Sequence, residues 1–180
     1  MLRVRLDCWL LALAAAVSGC VPAEEQETDA KVPGELLGVF AASGRIQLDQ
    51  CGAELLGAQN PWRFPVRLSR RERVVYWLNG REAIAGDLAA DGAAFRFDTR
   101  IDTVLSPARG GSSGCTVQRR DRLDGELHVE DDAVTGFDGV LSYHYSAKNG
   151  ADCAEFIGVP GGVTALPCEL RYAISALARQ

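Results

Sequence analysis

The 180-residue chain predicts an all-β domain, either an antiparallel up-and-down barrel or a two-sheet β-sandwich of about eight or nine strands closed by two disulfides. Three observations predict it. Apolar and polar residues alternate with the period of a half-buried strand, as in Leu123-Asp124-Gly125-Glu126-Leu127-His128-Val129-Glu130, where Leu123, Leu127 and Val129 face one way. Asn79-Gly80 and Asp91-Gly92 supply the positive φ that tight hairpins need. Four cysteines, Cys51, Cys115, Cys153 and Cys168, fall in the same region, an even number suited to an oxidising compartment.

The elements follow from these signals in chain order. Strands are expected near 44–50, 64–70, 73–78, 82–88, 93–101, 115–121, 123–130, 136–147 and 168–177, with antiparallel neighbours because each has one polar face. Phe95, Phe97 and Ile101 share a face. So do Phe137, Leu141, Tyr143 and Tyr145, and in the last strand Leu170, Tyr172, Ile174 and Ala176. Residues 52–60 are expected to hold one helical turn, and little helix is expected elsewhere. Residues 36–180 carry no internal break in composition and form a single domain long enough to bury a core.

Four cysteines allow three pairings, and strand parity chooses among them. With nine alternating strands, the end of the first and the start of the sixth share one rim, which predicts Cys51–Cys115. The end of the eighth and the start of the ninth share the other, which predicts Cys153–Cys168.

Residues 1–19 have the parts of an export signal: Arg3 and Arg5, the apolar run from Trp9 to Val17, and small Ser18 and Gly19. The apolar run is shorter than the roughly 20 residues that span a bilayer. Val17-Ser18-Gly19-Cys20 resembles the lipobox of bacterial lipoproteins. The resemblance covers residues 1–20 and implies cleavage before Cys20, with lipid on its sulfur and on the new amino terminus. Three acyl chains would hold the protein at a membrane, since one chain binds marginally and each buried methylene adds about 0.8 kcal/mol. Val21 in the sorting position implies the outer membrane, hence a lipid-anchored protein of the cell envelope. The segment after Cys20 to residue 35 is acidic, bracketed by Pro22 and Pro33, and reads as a flexible tether.

The net charge of −5 becomes more acidic by one once Arg3, Arg5 and Asp7 leave with the signal, and no basic stripe is segregated, which argues against nucleic acid. Arg67, Arg70, Arg71 and Arg73 cluster where a polar hairpin connection is expected. No catalytic, cofactor-binding or metal motif stands out: Gly-x-Ser-x-Gly, His-Glu-x-x-His and Cys-x-x-Cys are missing, and His128 and His144 fall on polar strand faces. Asp131-Asp132 reads as a solvated turn.

The expectation is therefore a membrane-anchored binding or structural module rather than an enzyme. Its partner would be an envelope protein or a small apolar ligand, and Phe156, Ile157 and Val159 form the candidate contact loop. The alternatives are a lipocalin-like carrier, which needs an apolar cavity of roughly 300 Å³ or more, and an envelope hydrolase without a recognisable motif. Gly38-Val39-Phe40 faintly resembles the lipocalin Gly-x-Trp, with Phe in the place of Trp.

Overall fold

The computed structural model describes residues 32–179 apart from 80, 81 and 112; the predicted export signal, Cys20 and the predicted tether up to residue 31 lie outside the described residues. Eight strands form one closed antiparallel barrel in sequential order: β1 Glu35–Asp49, β2 Trp62–Arg71, β3 Val74–Asn79, β4 Glu82–Leu88, β5 Ala94–Ser106, β6 Cys115–Glu130, β7 Ala133–Ala147 and β8 Cys168–Ala178. Closure is made by β1, whose first part pairs with β2 from Glu35 to Gly44 while Phe40 to Asp49 pair with β8. A barrel rather than a sandwich results, and its β4–β5 seam is held by two residue pairs, Asp87–Arg96 and Leu88–Phe95.

Eight strands replace the predicted nine because 115–121 and 123–130 are one strand, β6, paired along its length with both β5 and β7. β1 also starts earlier than the predicted 44, and Phe40, inside that added stretch, is fully buried. Merging two strands changes the parity of everything that follows. The end of β7 and the start of β8 move to the rim where β1 ends, so all four cysteines gather at one end of the barrel.

The predicted pairing is corrected accordingly. The disulfides are Cys51–Cys168, with Cα atoms 5.1 Å apart, and Cys115–Cys153, at 4.7 Å, rather than Cys51–Cys115 and Cys153–Cys168. Each bond extends a strand ladder. Asp49 pairs with Leu170 across the closure and Gln50 N donates to Glu169 O, which brings Cys51 to Cys168. On the other side Lys148 N donates to Thr116 O and Asp152 N to Gly114 O, which brings Cys153 to Cys115.

Alternation selects the interior as expected, with two exceptions. Leu123, Leu127, Phe137, Leu141, Phe95, Phe97, Leu170, Tyr172, Ile174 and Ala176 are all buried. Val129 is 53% exposed because the register slips between His128 and Val129, and such a bulge re-aims the side chains beyond it. Ile101 is 45% exposed because the β4–β5 ladder ends at Asp87–Arg96, well before it. The turns behave as their residues dictate: Gly92 has φ +75°, while Asp131 and Asp132, at +50° and +64°, form the two-residue β6–β7 connection. Residues 52–60 fold into hydrogen-bonded turns without a helix, and the only helical stretch among the described residues is the single 3-10 turn Ala154–Phe156.

Rings fill the barrel end remote from the disulfides. Phe40 and Phe95 each meet Phe137 edge-on at 5.6 Å between centroids, and Phe95 meets Phe97 at 5.7 Å. Wall glycines admit them: a Cβ at Gly125 would sit 2.3 Å from the Phe95 ring, and one at Gly86 would sit 2.6 Å from that of Phe97. The wall is uneven in height. β3 and β4 have 6 and 7 residues against 13, 16 and 15 in β5, β6 and β7. This short hairpin leaves a notch at the disulfide end between residues 62–66 of β2 and 97–106 of β5, both of which extend past its ladders.

Candidate binding site at the disulfide end of the barrel

Strand parity carries the aromatic chain of the interior toward the disulfide end, where it changes character. From Phe97 the rings continue through Trp77 at 6.1 Å, Phe64, which stacks on Trp77 at 6.2 Å, and Trp62, which stacks on Phe64 at 4.1 Å. Trp62 lies 5.8 Å from Tyr172, and Tyr172 meets Tyr143 edge-on at 6.4 Å. Phenols and indoles pair an apolar body with a polar tip, which suits the boundary between a dry core and water.

Arg119 and Asp121 complete this end. They stand two apart on β6, so both project from the face that carries Leu123 and Leu127 toward the interior. Arg119 grips Asp121 with a two-point contact, Nε to Oδ1 and Nη2 to Oδ2, both 2.7 Å. Its guanidinium carbon lies 5.3 Å from the centroid of the Tyr143 ring, within cation–π range. Burial works against the charge on Arg119, but the hydrogen bonds and charge of Asp121 more than offset it and push its pKa up. Burial also raises the Tyr143 phenol well above its ordinary value of 10.0 and raises Tyr145 and Tyr172 in the same direction. All three tyrosines are therefore neutral hydrogen-bonding groups at ordinary pH.

An open pocket of about 280 Å³ lies here, with walls from Trp62, Tyr143, Tyr145 and Tyr172, Arg119 and Leu170 beside them, and residues 56–59 as a lip. The lip is well anchored. Asp49, at the end of β1, accepts from Gly52 N at 2.8 Å and from Ala53 N at 2.9 Å, satisfying the donors that open the turn. Ala58 N donates to Ala53 O, Gly161 N to Leu55 O and Thr164 N to Cys51 O. These bonds join the lip to the loop before β8, and Cys51–Cys168 ties the same two segments covalently.

The predicted contact loop divides in two. Phe156 turns inward, packing against the core and the Cys115–Cys153 cluster, while Ile157 and Val159 remain 41% and 39% exposed. Both histidines lie outside the barrel. His128 Nε2 is 3.3 Å from Asp138 Oδ2, and His144 borders an outer groove with Arg120, Arg122, Ser142 and Glu169. Among the described residues no group of three or more His, Cys, Asp or Glu could hold a metal ion.

The outer face of β5 and β6 carries a second set of ion pairs, with different chemistry. Arg120 bonds Asp98, Arg96 and Arg122 bond Asp124, and Lys148 bonds Asp102 at 2.6 Å. The Asp98 carboxyl is held below its ordinary value, first by the Arg120 hydrogen bond. These side chains are solvated, whereas Arg119, held by Asp121, shares a pocket with four aromatic rings.

Sequence reasoning placed Tyr143, Tyr145 and Tyr172 on the inner face but missed Arg119 and Asp121. The signal was present. Running the parity of Leu123 and Leu127 backwards through residue 122 puts Asp121, Arg119 and Val117 on the same face; dividing β6 at that point concealed it. The chain matches no protein-family model, no curated protein and no solved structure.

Proposed function

We propose that this chain is a lipid-anchored binding module of the cell envelope that takes a small, polar, uncharged ring compound in the pocket at the disulfide end of its barrel. The observation that carries the reading is the pocket's composition. Aromatic faces offer apolar contact to a ring, and three phenols offer hydrogen bonds around its edge. Arg119 borders the pocket with directional donors while Asp121 cancels its charge, which favours neither anions nor cations. A carried lipid fits less well. The interior beyond the pocket is occupied by Phe40, Phe95, Phe97 and Phe137, and the remaining space is open and polar-rimmed. The reading is non-catalytic, because the two histidines lie outside the barrel, away from the pocket. Anchoring at the outer membrane rests on Val17-Ser18-Gly19-Cys20 and Val21.

Two measurements test it. Intact mass of the chain purified from membranes should show a protein that begins at an acylated Cys20; an unacylated chain would sink the anchor. Tryptophan fluorescence should respond to titration with mono- and disaccharides, and the response should disappear in Trp62→Ala. A response to palmitate alone would restore the carrier reading, and silence to both classes would leave the pocket without a role in binding.

A further inference from the structure

We infer that the free edge of β5 pairs with the β5 edge of a second copy of this chain, making an antiparallel dimer centred on Ile101. The edge exists because the β4–β5 ladder stops after two residue pairs, although β4 itself runs on to Glu82. Among the described residues β4 and β5 pair only at Asp87–Arg96 and Leu88–Phe95, so from Phe97 outward β5 has a strand neighbour on its β6 side alone. Such an edge is a template for another strand, and proteins blunt it with proline, very short strands or charged side chains; here the charges, Asp98, Arg100 and Asp102, are of both signs. Across the notch, β2 carries Pro65 within 62–66. β5 carries no proline from 97 to 106, and Ile101, Val104 and Leu105 are all exposed there.

The sequence of this edge complements itself. Along Thr99-Arg100-Ile101-Asp102-Thr103, antiparallel pairing about a two-fold axis at Ile101 sets Thr99 opposite Thr103, Arg100 opposite Asp102 and Ile101 opposite Ile101. Opposite charges then meet twice, and the apolar residue meets its own copy. Arg100 makes no ion pair among the described residues within its own chain. Backbone directions agree with this register. Ala89 N, leading out of β4, donates to Ala94 O, whereas Leu127 N of β6 donates to Ala93 O. Alternation along the strand therefore turns the N–H and C=O groups of Asp98, Arg100, Asp102 and Val104 toward the free edge. Those are the residues that the two-fold brings opposite one another, Asp98 to Val104 and Arg100 to Asp102. Ile101 lies at a pair without hydrogen bonds, where facing side chains approach most closely.

The test uses the whole chain as its host processes it, purified in mild detergent. Sedimentation should show a dimer. Arg100→Asp should weaken it about tenfold by setting like charges opposite each other, and adding Asp102→Arg should restore it. Ile101→Cys should yield a covalent dimer on a non-reducing gel, while Thr103→Cys, which faces Thr99 in the partner copy, should not. A monomer at every concentration up to the solubility limit would overturn the inference, as would crosslinking through Thr103→Cys but not Ile101→Cys. A β5 edge occupied by a different protein in the purified material would overturn it as well.

Discussion

The two ends of the barrel are built by the same strands with the same alternation, yet they do different work. At one end Phe40, Phe95, Phe97 and Phe137 interlock and exclude water; at the other, Trp62, Tyr143, Tyr145, Tyr172 and Arg119 surround an open pocket. Both disulfides lie at the second end. Interlocking rings need no covalent help, because close packing and apolar burial hold them. A pocket lined by polar tips gives up that burial, and crosslinks between its loops replace part of the lost restraint. Stability thus concentrates at the phenylalanine end and chemical capacity at the disulfide end.

Removing a ring from the closed end should produce the largest effect. Phe137→Ala, at a fully buried position, should destabilise by about 3–5 kcal/mol in urea unfolding. A change below about 1 kcal/mol would mean that the closed end does not carry the fold. Next in size are the crosslinks. In the chain-entropy account, Cys51–Cys168, with a sequence separation of 117, stabilises by about 4.9 kcal/mol, against about 3.9 for Cys115–Cys153 with 38. Paired alanine replacements should therefore lower the urea midpoint more for the first bond than for the second. The reverse order would show that local packing, rather than loop length, sets their value.

Alkaline pH separates the ends by another route. Burial raises the phenols of Tyr143, Tyr145 and Tyr172 above 10.0, so the folded state keeps protons that the unfolded state releases. That contribution is complete below pH 10 and is lost as the pH climbs from there toward the folded-state values. Stability measured between pH 8 and pH 12 should fall above pH 10, and Tyr143→Phe should reduce the slope. A profile unchanged by that substitution would mean that the pocket phenol is better hydrated than its position implies.

The smallest expected effects distinguish inner from outer ion pairs. Arg119→Ala leaves Asp121 half-buried among aromatic rings and should destabilise by about 1–3 kcal/mol. Arg120→Ala, one residue along and on the solvated face, should leave the urea midpoint nearly unchanged. Equal values for the two would erase the distinction between the pocket and the outer surface.

Much of the interior was legible in the residues. The alternation of Leu123 and Leu127, and of Leu170, Tyr172, Ile174 and Ala176, marks the inner face because side chains two apart on a strand always share a side. Gly92 and Asp131-Asp132 mark connections because their backbones accept positive φ. Residues 36–43 were not recognised as strand: Ala41, Ala42 and Ser43 are small and give no strong apolar contrast, although Phe40 among them is fully buried. The pocket was half legible, its tyrosines found and its Arg–Asp pair missed. Charged residues on an inner face resemble a strand boundary until the pairing partners on both sides are known.

What the sequence by itself determined is local: which residues of a strand look inward and where the chain turns. Only the tertiary structure decided that β6 is unbroken, that β1 closes on β8, and that the cysteines join as Cys51–Cys168 and Cys115–Cys153. The reason is that a side chain's direction depends on its nearest neighbours in sequence. Which strand ends meet depends instead on the strand count and the closure of the whole sheet.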